Sequence, residues 1–225
     1  MTMDVLSTSI AHEMNQPLAS IVTNADAAAR WMDRPTPDLG EVKAPLEQIR
    51  NAAYRSRDLI GSIRAMVKRD GRNRTPLDLN DLVRDVLALT ERDLQRSHIS
   101  VELQLDEHLP WTKGDRVQLQ QVLINLITNA IDAMANQKWP RILRITSAIE
   151  GPSSVVISVT DTGEGIDPNI VDRIFNPLFT TKSNGMGMGL AICRSIIEGH
   201  GGRFSASVGA QGGAVFQFVL PGDGA

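Results

Sequence analysis

Between Val42 and Val67 the residues Val42, Leu46, Ile49, Ala53, Ser56, Ile60, Ile63 and Val67 recur at alternating spacings of four and three, with Ser56 the one polar member. That rhythm is the a/d seam of a coiled coil, and a seam kept this long commits the segment to a helix in need of a helical partner. The preceding stretch supplies one. Ile10, Met14, Leu18, Ile21, Ala25, Ala28 and Met32 step by three or four and so share one helical face. Asp33-Arg34-Pro35-Thr36-Pro37 separates the two helices, with Thr36 expected as an N-cap and Pro37 at the first helical position. One stripe per helix cannot be buried by a single hairpin, whereas two hairpins close into a four-helix bundle. The prediction is an N-terminal domain over 1–70 that homodimerises through residues 4–70.

The pattern changes after Gly71-Arg72-Asn73-Arg74-Thr75-Pro76, a polar break that reads as a linker over 71–76. A second domain over 77–225 is expected to hold a helix at 80–96 capped by Asn80, a strand at 100–105, and a long Asp115-capped helix reaching about Asn136. Strands near 141–149 and 154–160, a glycine-rich region, a helix near 189–199 and strands near 203–208 and 214–220 complete it. Helices mixed with mostly antiparallel strands predict an α/β sandwich with the helices on one sheet face. The fold class is thus α plus α/β.

Composition narrows the function. A net charge of −3 gives no sign of a nucleic-acid binder. The basic residues near the join (Arg64, Lys68, Arg69, Arg72 and Arg74) read as a solvated helix end and linker. The single Cys193 cannot form an internal disulfide, which suits a reducing cytoplasm. No apolar run approaches the ~20 residues that cross a bilayer, so no membrane contact is expected of this segment.

Two groups of residues carry chemistry. His12 lies off the apolar stripe and is followed by Glu13. A neutral imidazole offers a nucleophilic nitrogen near physiological pH. An adjacent carboxylate that accepts its other N–H fixes the tautomer and offsets the developing positive charge. Pro17, one turn on, is expected to bend the helix. A His-Glu pair alone equally describes a solvated surface.

The second group lies downstream. Asn125 and Asn129 stack on one face of the long helix, and an amide oxygen is a suitable hard ligand for Mg²⁺. Asp161-Thr162-Gly163-Glu164-Gly165-Ile166 follows a strand, with glycines that let backbone approach a ligand. Gly185-Met186-Gly187-Met188-Gly189-Leu190 opens a helix, whose N–H groups and positive dipole end favour phosphate.

In conjunction these strings resemble the sensor histidine kinases of two-component systems, over essentially the whole chain. Ser9-Ile10-Ala11-His12-Glu13-Met14-Asn15-Gln16-Pro17-Leu18 is similar to the family's H-box. Asn125 to Ala133 resembles its N-box, and Phe175-Asn176-Pro177-Leu178-Phe179-Thr180-Thr181-Lys182 its F-box at the start of an ATP lid. Gly212-Gly213-Ala214-Val215-Phe216 fits the last glycine box. The wording looks most like the nitrogen-, oxygen- and dicarboxylate-sensing branch.

The resemblance implies a dimerisation and phosphoacceptor hairpin followed by a Bergerat-type ATP-binding domain of the kind shared with gyrase and Hsp90. It implies ATP and Mg²⁺ as cofactors, His12 as phosphoacceptor and Glu13 as its acid–base partner. Gln16 stands where relatives carry a residue tied to dephosphorylating the response regulator. Asn129 would be the metal ligand, Asn125 would hold a metal-bound water or phosphate, and Asp161 would accept from the adenine amino group. Gly163, Gly165, Ile166, Thr181, Lys182, Gly185, Gly187, Gly189 and Leu190 complete the expected nucleotide site. The implied partner is a response-regulator receiver domain, and the implied location is the cytoplasmic part of a longer sensor.

Two departures stand out. Many relatives carry Lys where this chain has Asp132, and Lys182 is the residue expected to supply that charge. Only 11 residues precede His12, fewer than relatives usually have. The rival reading, an ATP-driven machine of the gyrase, Hsp90 or MutL type, needs a Glu at position 125 to activate water. Asn125 cannot serve as that base. A non-catalytic scaffold would not need the full set of ligand-type residues, and a serine kinase would not need the His12 string.

Overall fold

The computed structural model describes residues 3–36, 38–67, 74–138, 140–182, 187–209 and 212–223. In the N-terminal part it describes the side chains of 15–36, 38–53 and 56. The chain divides into two compact units, Met1–Val67 and Lys68–Ala225.

The first unit is a helical hairpin of α1 (Met3–Met32) and α2 (Leu39–Val67). Pro17 lies inside α1 without ending it, so the expected bend does not break the helix. The cap of α2 also differs from expectation. Asp38, and not Thr36, accepts the N–H groups of Gly40 at 3.1 Å and Glu41 at 3.3 Å. A carboxylate directly before the first helical residue reaches these orphan donors best, and its charge suits the dipole. The hairpin buries Ala28, Val42 and Ala52, but leaves Leu18, Val22 and Leu46 at 49%, 60% and 53% exposure.

The second unit runs β1 (Thr75–Leu77), α3 (Leu79–Arg96), β2 (Ser100–Leu105), β3 (Thr112–Gly114), α4 (Arg116–Met134), β4 (Ile142–Glu150), β5 (Ser154–Asp161), α5 (Gly189–Gly199), β6 (Arg203–Val208) and β7 (Ala214–Pro221). Five strands form one sheet in the order β2-β4-β5-β7-β6. The β2–β4 pair is parallel and the others are antiparallel. Along β4, buried Leu143, Ile145 and Ser147 alternate with half-exposed neighbours. That alternation marks one covered and one solvated sheet face. The covered face meets the helix layer, where Leu82, Leu119, Leu123, Leu126 and Ile127 are fully buried, as are Ile157 and Phe218 in the strands.

Two local features depart from the sequence reading. The strand β1 takes the last two residues of the expected linker, pairing antiparallel with β3. The cap of α3 is Asp78, whose carboxylate accepts from Asn80 and Asp81. Asn80 is instead buried, donating to the Asp106 carbonyl at 2.7 Å and accepting from Ser147 Oγ at 2.8 Å. An Asn side chain carries both donor and acceptor, so it can tie the start of α3 to the sheet where a cap would use only one.

Candidate functional site

The C-terminal end of α4, the loop after β5 and the start of α5 enclose two adjoining cavities of about 360 and 230 Å³. Asn129, Thr181, Lys182 and Leu190 line both. The larger cavity also reaches Asp161, Gly165 and Ile166, and the smaller reaches Gly187 and Gly189.

Asp161 ends β5 and is 3% exposed. Its Oδ1 accepts the N–H of Gly163 at 2.8 Å and that of Ala214 at 3.3 Å. Both protein donors fall on one oxygen, which leaves Oδ2 for a ligand among the described contacts. Burial pushes the Asp161 carboxyl above the usual range, while the two backbone bonds and the Lys182 charge pull it back. The loop can follow this path only because Gly163 lacks a side chain. A Cβ there would stand 2.7 Å from the carbonyl oxygen of Ala133 on α4. Thr162 holds the same loop from the other side, accepting the Ile142 N–H at 3.0 Å and donating to the Pro140 carbonyl at 3.1 Å.

The glycine-rich features lie at the other end. Among the described residues no side chain caps α5, and its first N–H groups lie beside Gly187 and Gly189, where an anion would be favoured. Gly187 has φ +63° and its carbonyl accepts the Leu178 N–H at 2.9 Å. A Cβ at Gly187 would meet the backbone of Leu178 and Phe179 at 2.5 Å, so glycine is required there.

Lys182 Nζ lies 3.2 Å from Asn129 Oδ1 and 2.9 Å from Asp132 Oδ2. An amide oxygen and a carboxylate one turn apart on α4 thus already hold a cation, and hard oxygen donors of this kind fit Mg²⁺. Asn125 is engaged elsewhere. Its Oδ1 accepts from Gln121 Nε2 at 2.9 Å, and its Nδ2 faces the Gly189 carbonyl at 3.4 Å and Cys193 Sγ at 3.7 Å.

Most of the sequence-nominated residues therefore meet at one site, and Gly163 acts through its bond to Asp161. Gly185 lies outside the described residues, as do the side chains of His12 and Glu13, while Gln16 is exposed on α1. Sequence reasoning missed the wall formed by Ile170 and Ile174, and the amide of Ala214. The four-residue spacing of the two isoleucines was the available signal for the first.

Residues 114–224 match the family described as histidine kinase-, DNA gyrase B- and HSP90-like ATPase, and residues 3–72 match the His Kinase A phospho-acceptor domain. The catalytic domain of histidine kinase ThkA superposes with a TM-score of 0.60 at 36% identity, covering 66% of this chain and 95% of that one. The chain belongs to the sensor histidine kinase family. Among curated relatives in this family, the sensor histidine kinase TmoS of Ectopseudomonas mendocina is 37% identical over 98% of this chain and 23% of its own length. The sensor protein FixL of Bradyrhizobium diazoefficiens is 36% identical over 97% of this chain and 43% of its own length. The chain thus spans less than half the length of these relatives. ThkA in complex with the response regulator protein TrrA aligns with 97% of this chain and 61% of its own, with a TM-score of 0.72 and 27% identity. The C-terminal unit is accordingly an ATP-binding domain of the GHKL fold. No helix among the described residues is long and apolar enough to cross a membrane.

Proposed function

We propose that this segment binds ATP in the cavity between α4, α5 and the Asp161 loop, phosphorylates His12, and passes the phosphoryl group to a receiver-domain Asp of a response regulator. The observation that carries the reading is the convergence of Asp161, Asn129, Lys182 and the uncapped start of α5 on one continuous cavity. Asp161 Oδ2 accepts from the adenine amino group. Gly165, Ile166 and Leu190 pack about the base, and Thr181, Gly187 and Gly189 face the phosphates. Asn129 is the residue that would hold Mg²⁺, which when bound neutralises the triphosphate charge. Lys182 supplies the cation that relatives place at position 132. Asn125 acts one step removed, by holding the start of α5.

In the transfer, one imidazole nitrogen of His12 attacks the γ-phosphorus and the bond to the β-phosphate oxygen breaks, releasing ADP. Glu13 accepts the N–H on the other nitrogen and offsets the charge on the ring. A receiver Asp oxygen then attacks phosphorus, the P–N bond breaks, and His12 returns to neutral imidazole. Gln16, exposed one turn along α1, would act on the phosphorylated regulator in a phosphatase reaction. The exposed Leu18, Val22 and Leu46 favour a homodimer, because a second hairpin would cover them.

The test is incubation with Mg²⁺ and γ-labelled ATP of the wild type, His12→Gln and Asn129→Ala. The reading expects an acid-labile, alkali-stable label that both variants lose. A label that persists in His12→Gln would sink it.

A further inference from the structure

Lys182 and Asp132 present a relationship that the phosphate-binding role of Lys182 does not require. The backbone of Lys182 is fixed locally, its N–H donating to Thr180 Oγ1 at 3.1 Å. Its side chain reaches α4, where the ammonium bridges Asn129 Oδ1 at 3.2 Å and Asp132 Oδ2 at 2.9 Å. The bridge lies in the wall of the smaller cavity, beside Gly187 and Gly189. Lysine therefore sits on the same amide oxygen that would hold the metal, and a carboxylate keeps it there.

One oxygen cannot hold two cations at contact distance without strong repulsion. A nucleotide that arrives with its metal must therefore have Lys182 leave Asn129, and the freed ammonium can then turn to the phosphates. Asp132 opposes that departure, since leaving breaks a charge-assisted hydrogen bond.

We propose that Asp132 is a positioning residue that holds Lys182 on Asn129 and thereby lowers nucleotide affinity through Lys182. Asp132 makes no contact with the reacting atoms in this scheme. Its carboxylate sets how readily the lysine is surrendered, so the charge reversal at position 132 relative to many relatives becomes a brake on nucleotide binding. The inference rests on the reading of this cavity as the nucleotide site.

The experiment measures binding of the non-hydrolysable analogue AMPPNP by calorimetry at fixed Mg²⁺ to wild type, Asp132→Asn, Lys182→Met and the double variant. Lys182 and Asp132 side chains are 42% and 52% exposed, so these substitutions leave the fold in place. Asp132→Asn is expected to bind tighter, on the order of threefold for an exposed ion pair. Lys182→Met binds weaker, and adding Asp132→Asn to it changes nothing further, because Asp132 acts only through the lysine. Weaker binding by Asp132→Asn would make Asp132 a contributor to the metal site and overturn the proposal. An equal effect of Asp132→Asn in both backgrounds would overturn it too. Failure of the underlying reading shows separately, as AMPPNP binding that Asn129→Ala and Asp161→Asn leave untouched.

Discussion

The imidazole Nε2 of His200 accepts the backbone N–H of Asp115 at 3.0 Å, which ties the end of α5 to the start of α4. The two helices whose opposite ends frame the cavities at Asn129 are thus joined at a point remote from them. The other ring nitrogen, Nδ1, donates to the Ile196 carbonyl at 2.7 Å, so the structure requires the neutral ring in one tautomer. The side chain of Arg74 donates to the carbonyl of Gly199, the residue before it.

This arrangement gives the ATP-binding unit a defined response to acid. Burial lowers the His200 pKa from its ordinary 6.5, with the nearby Arg74 charge acting in the same direction and the Ile196 bond and Asp115 opposing. A histidine lowered in the folded state contributes its full stability above the unfolded value. That stability is lost as pH falls below 6.5 towards the folded value, because the unfolded chain then binds the proton more readily. The melting temperature of the wild type should therefore drop between pH 7 and pH 5 by more than that of His200→Gln. Equal drops in the two proteins would remove His200 as the cause.

Asp161 carries the opposite sign. Its carboxyl is raised by burial, so the charged form costs stability at neutral pH and protonation relieves that cost. Asp161→Asn keeps an oxygen for Gly163 and Ala214 and should melt higher than the wild type at pH 7, with the gap closing as pH falls into the carboxylate range. The same variant should lose adenine nucleotide binding at least about tenfold, the worth of one hydrogen bond to a buried charge. A variant less stable than wild type at pH 7 would contradict this account of the burial.

Gly163→Ala should separate folding from binding less cleanly. The new methyl would meet the Ala133 carbonyl oxygen at 2.7 Å and its Cβ at 2.8 Å. Relief requires the Asp161 loop to move off α4, at a cost of about 1–3 kcal/mol of the kind seen for overpacking. Denaturant unfolding would read the loss, and calorimetry would show nucleotide affinity falling with it.

Cys193 offers a probe of the α4–α5 seam. It is fully buried beneath Asn125, and burial pushes its thiol up to about 12. A thiol reagent at pH 8 should therefore label the native protein only as fast as the seam opens, and nucleotide should slow labelling further. Rapid labelling of the folded protein would show the seam to be open to solvent.

The hairpin makes a prediction about assembly. Val22→Glu and Leu46→Glu place charge on residues that are 60% and 53% exposed in the single hairpin. Neither should disturb a lone hairpin, yet both should shift the protein from dimer to monomer in sedimentation. A dimer unaffected by both would locate the interface on another face.

What the sequence by itself determined was periodicity and chemistry. The seam from Val42 to Val67 required a long helix with partners, and Asp115 marked the start of α4 because a carboxylate before an apolar helix has one obvious use. The strings around Asp161, Asn129 and Gly187 nominated a site because a purine, a metal and phosphates each need a particular donor or acceptor on a close backbone, and the fold brings these residues to adjoining cavities. Tertiary structure decided whatever depended on distant segments meeting. Asn80 reads locally as a cap, yet Ser147 and Asp106 claim it, since a buried amide is held by whatever reaches both its ends. The pair Thr75–Leu77 and Thr112–Gly114 is too short to announce itself, and it forms through partners distant in sequence, with Thr112 also bridging Gly222. Lys182 and Asp132 lie far apart in sequence, and no periodicity relates them. Folding of the Asp161 loop and the start of α5 against α4 set that lysine on the Asn129 amide oxygen, and with it the charge balance of the site.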